Sequence, residues 1–144
     1  MTTLSAIASL CLERQLREAL DLTVTCRMLS DSFRAAEEPL MAVVLGRLSE
    51  ELSDQFSVLL PLTDGASRLP PDPDPSPTVV AIDADADIYL PDLGARLGRA
   101  ALLAHTDAME PGLEPPVAAV LRAVAALYRA RRELLLLCSV VNSP

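Results

Sequence analysis

The sequence predicts an all-α fold: a four-helix bundle made of two helical hairpins joined by a long Pro-rich crossover. Three observations predict it. Apolar residues recur at steps of three and four through four separate segments. Helix-starting and helix-stopping residues bracket those segments. Prolines crowd into one stretch between the second and third, with seven of the chain's 12 between Pro61 and Pro91. The 144 residues suit one domain over 1–144.

The first helix is expected over about 4–34, with Leu12, Leu16, Ala19, Leu22, Cys26, Leu29 and Phe33 on its apolar stripe. Thr2, Thr3 or Ser5 can cap its start. The second is expected over about 39–60. Pro39 suits a first turn, and Glu37 and Glu38 suit the positive end of the helix dipole. Its stripe reads Met41, Leu45, Leu48, Leu52, Phe56 and Leu59. The short link between the two predicts an antiparallel hairpin.

The segment 61–91 reads as polyproline II or coil, because Pro-Pro-Asp-Pro-Asp-Pro-Ser-Pro cannot be helical. A third helix follows over about 92–109, with Leu93, Leu97, Ala101, Ala104 and Ala108 on one face, and Glu110-Pro111-Gly112 ends it. A fourth is expected over about 116–141 with a 3,4 stripe of Val117, Val120, Val124, Leu127, Arg131, Leu134, Cys138 and Val141. A 25-residue helix is about 38 Å long, a distance that about 13 extended residues span. The crossover can therefore return along the bundle and leave the third helix parallel to the second. One long crossover is the ferritin-like topology, here without the residues of its metal site.

Composition narrows the function. The net charge of −8 argues against nucleic acid and against anionic membrane surfaces. Four aromatic rings are too few for base-stacking platforms. No run approaches the length of a spanning helix, and Glu13 and Arg14 interrupt any leader-like stretch. Cys11, Cys26 and Cys138 are odd in number and form no C-x-x-C pair, so buried thiols in a reducing cytoplasm are expected.

Catalytic patterns are incomplete. A carboxylate-bridged metal pair needs two Glu-x-x-His motifs, and the chain has one histidine, His105. Ala104-His105-Thr106 resembles the start of the motif in histidine-phosphotransfer bundles. Asp107-Ala108-Met109 stands where that family has a Lys and a small residue. Asp83, Asp85 and Asp87 resemble the opening of a calcium loop and are candidate cation ligands, although Ile88 replaces the Gly that such a loop requires. No cofactor and no catalytic residue is expected.

Association is the better-supported theme. Gly94 and Gly98 lie four apart and allow close approach of another helix, within the chain or between chains. Leu134, Leu135, Leu136 and Leu137 cover every side of a helical turn, and Val140 and Val141 follow. That apolarity predicts burial by the crossover or by a second subunit. Gly94, Gly98, Leu134–Leu137 and Val141 are therefore the expected interface. Arg131 needs an acidic partner from helix 1, helix 2 or a second chain. The expectation is a non-enzymatic, acidic helical interaction module, homodimeric and binding a protein partner. The alternative is an apolar small-molecule-binding bundle, with alanines making room between helices. A metal-dependent or phosphotransfer protein is third.

Overall fold

A computed structural model describes residues 4–63 and 89–142. It is a four-helix bundle: α1 (Ala6–Ala35), α2 (Pro39–Leu59), α3 (Leu90–Ala108) and α4 (Pro115–Asn142), with a short 3-10 turn, Leu60–Leu62, continuing α2. The expected bounds agree to within two residues at each end. Most of the crossover, and with it Asp83, Asp85 and Asp87, lies outside the described residues.

Local chemistry sets the ends. Ser5 caps α1, its Oγ accepting from the Ala8 N–H at 3.1 Å. At the other end Glu37 turns into the left-handed region at φ 61°, and the Glu38 N–H donates back to the Phe33 carbonyl at 2.9 Å. Pro39 then opens α2. Gly112, at φ 82°, makes the corresponding turn between α3 and α4.

Within each hairpin the helices approach closely. In the first, Leu12, Leu16, Leu22, Leu29 and Phe33 meet Met41, Leu45, Leu48 and Leu52 in one core. Small residues line its seam. Ser30 Oγ donates to the Ala42 carbonyl at 2.6 Å, and Ser49 Oγ donates to the Thr23 carbonyl at 3.2 Å. A methyl group on Gly46 would sit 3.3 Å from Ser30 Oγ. In the second hairpin Gly94 and Gly98 face α4 of the same chain, where added methyl groups would stand 3.8 Å from Leu136 and 3.3 Å from the Arg132 side chain. The two glycines thus serve close packing on a helix of the same chain, one of the two arrangements expected of them.

The stripe expected on α4 is corrected. Its core residues are Val117, Ala118, Leu121, Val124, Ala125, Tyr128, Arg131 and Leu135, whereas Leu127, Leu134 and Val141 are exposed. The helix is rotated by about one residue from the expected setting. α4 carries two apolar stripes side by side, and the one that brings the Tyr128 ring inward faces the core.

Contacts across the hairpins fix the directions. Along α1, Ser5, Arg14 and Asp21 meet Glu114, Asp107 and Arg96 in descending order, so α1 and α3 are antiparallel. α2 runs antiparallel to α1 and therefore parallel to α3, as the long crossover requires. The buried carboxylate of Asp107, 1% exposed, accepts from Arg14 Nη2 at 2.6 Å and from Gln15 Nε2 at 3.2 Å. Arg96 donates to Asp21 and, at 3.1 Å, to Thr25 Oγ1.

Asp107→Ala would leave the Arg14 and Gln15 donors facing each other without their acceptor. A loss of about 2–3 kcal/mol in urea unfolding is expected, because Arg14 is partly solvated.

Candidate functional site

One group of buried polar side chains lies on the seam between α2 and α4. One helical step along α2 places Glu51, Asp54, Gln55, Val58 and Leu59 towards α4, and α4 answers with Val120, Ala123, Val124, Leu127 and Arg131. Together they line an open groove of about 420 Å³. Its walls are mostly aliphatic. Gln55 and Arg131 are buried polar groups, whereas Glu51 and Asp54 are exposed.

A hydrogen-bonded chain underlies this groove. Gln55 Nε2 donates to the Tyr128 hydroxyl at 3.1 Å. Arg131 Nη1 donates to Gln55 Oε1 at 2.5 Å. The Arg131 guanidinium also stands 5.6 Å from the centre of the Tyr128 ring, within cation–π range. The acid expected beside Arg131 is replaced by the neutral Gln55 amide. Among the described residues no carboxylate lies within ion-pair distance of it. Arg131 Nε is buried with no acceptor. Desolvation lowers the Arg131 pKa, opposed by Tyr128 and Glu51. Sequence reasoning missed Gln55 and Tyr128. The signal was a second 3,4 series on α4, running Val117, Leu121, Val124, Tyr128, with Tyr128 needing a polar partner for its hydroxyl.

Beyond the groove, the C-terminal turns of α4 expose apolar surface. Leu137 is 63% exposed, Val140 72% and Val141 68%. Leu134 and Leu136 are partly open as well, but Leu135 is fully buried in the core. Leu135 is thus removed from the expected interface set and the other leucines and Val141 stay at the surface. A second cleft, about 450 Å³, lies between α1 and α3 beside Glu18, Arg99, Leu102, Leu103 and Thr106. Burial raises the Glu18 pKa there, with Arg96 opposing.

The remaining candidates are dispersed. His105 is exposed in the last turn of α3, while Asp107, two residues on, points inward to Arg14. No cluster of three metal-ligating side chains occurs among the described residues. Cys11 and Cys26 are buried and Cys138 half-buried, all as free thiols. Among the described residues no helix is long and apolar enough to cross a membrane. Comparison with protein-family models, curated proteins and solved structures finds no match.

The core titrates in one direction at high pH. Burial pushes the Tyr128 hydroxyl from 10.0 up to about 12, and the Cys26 thiol from 9.0 up to about 12. The unfolded chain releases both protons earlier, so stability is intact below about pH 9 and falls as pH rises towards about 12. Tyr128→Phe should flatten that fall above about pH 10, by roughly 2–3 kcal/mol between about pH 9 and 12, in urea titrations of the two proteins.

Proposed function

We propose that the chain is a non-enzymatic, acidic helical interaction module that self-associates through the C-terminal turns of α4 and binds a protein partner. The observation that carries this reading is the exposed run of Leu134, Leu136, Leu137, Val140 and Val141 on the last turns of one helix. Covering such side chains, 41–72% exposed, returns roughly 0.6–2 kcal/mol each, the corresponding fraction of full burial. An aliphatic patch of this kind marks association surfaces on soluble proteins. The net charge of −8 suits a basic protein partner and speeds encounter with it. A homodimer through α4 would be isologous, with each copy presenting the same leucines and valines to the other.

The pair Leu137→Glu and Val141→Glu tests the reading. Wild-type protein should run as a dimer in native mass spectrometry. The variant should weaken the dimer by at least about 100-fold and keep its helical circular dichroism, since both positions are exposed. A wild-type monomer, or a variant dimer of unchanged strength, would overturn it.

A further inference from the structure

We propose that the groove between α2 and α4 is a binding site for a single-chain aliphatic carboxylic acid, with its carboxylate on Arg131 and its chain along Val58, Leu59, Val120 and Leu127. The proposal is independent of self-association, because these residues do not include the exposed C-terminal turns of α4.

Shape supports it first. The groove of about 420 Å³ falls within the range of small-molecule sites, about 300–1,000 Å³. Its walls supply aliphatic side chains and no aromatic ring, which suits a flexible chain better than a flat ring system. Ala123, with its single methyl group, is the smallest side chain lining the groove.

Charge supports it independently. Arg131 is 6% exposed, lines the groove and carries a fixed positive charge. Its Nη1 is satisfied by a neutral amide alone, and its Nε is buried with no acceptor. A buried guanidinium with no carboxylate at ion-pair distance is a costly arrangement, eased only through space by Glu51, and an anion at the head of the groove would relieve it further. A carboxylate matches the planar guanidinium fork better than a hydroxyl does. Glu51 and Asp54 also line the groove, and both are exposed to solvent. Water screens their repulsion, whereas attraction at the buried Arg131 acts through a medium of lower dielectric. The balance favours an anionic head inside and a chain lying along the aliphatic walls.

Dodecanoate and dodecanol, which share a chain and differ in the head group, form the test with the full-length protein. Isothermal titration below the micelle-forming concentration of dodecanoate and within the aqueous solubility of dodecanol should show dodecanoate binding at least about tenfold more tightly than dodecanol. Arg131→Met should erase that preference. Ala123→Phe, at an exposed position that threatens the fold little, should block both ligands by filling the groove. Leu137→Glu with Val141→Glu should leave dodecanoate binding unchanged, which separates this site from the dimer surface. Equal affinity for the two probes, no binding of dodecanoate, or full binding by Ala123→Phe would overturn the proposal. Equal affinity would mark the groove as a general apolar surface, such as a second copy of the chain could cover.

Discussion

The bundle depends on polar contacts that cross from one hairpin to the other. Each hairpin is internally close-packed, through small residues around Ser30 and Gly46 in one and through Gly94 and Gly98 in the other. The hairpins touch each other less closely. On the α1–α3 seam, Asp107 receives Arg14 and Gln15, and Arg96 reaches Asp21 and Thr25. On the α2–α4 seam, Gln55 joins Tyr128 to Arg131. Each such bond adds only about 1 kcal/mol net, but a buried partner left unmatched costs about 1–3 kcal/mol. Sliding one hairpin by a turn would strand several partners together, so these bonds select the register while the leucine core supplies the bulk of the stability.

The same constraint explains which parts of the structure were legible in the sequence. Helix positions followed from apolar spacing, Pro39 and the Glu110-Pro111-Gly112 turn, because those signals are local. The parallel run of α2 and α3 followed from the length of the crossover. The rotation of α4 was not legible. Its apolar arc is wide enough to hold two stripes, and the choice between them rests on Tyr128 finding Gln55 on another helix. Arg131 was legible as a buried charge in want of a partner, but its neutral partner was not, because Gln55 sits beside Phe56 in a stripe that either residue could have joined. Gly94 and Gly98 announced close packing, and only the fold says that the nearby helix belongs to the same chain.

Both proposed surfaces are by-products of that rotation. Turning Tyr128 and Leu135 inward leaves Leu127 beside the groove and Leu134, Leu137 and Val141 at the surface. The polar chain beneath the groove holds Arg131 close to aliphatic walls, while the last turns of α4 remain as an open apolar face. One helix setting thus produces a cleft lined by Arg131 and an exposed apolar end.

A double-mutant cycle on Gln55 and Arg131 tests the account most directly. Gln55→Leu and Arg131→Met would be made singly and together, and each protein unfolded in urea. Selection of register by buried polar pairs predicts two destabilised single variants, a double variant close to wild type, and a coupling energy of roughly 1–3 kcal/mol. Strictly additive effects, with no coupling, would contradict it and leave the docking of the hairpins to apolar packing alone.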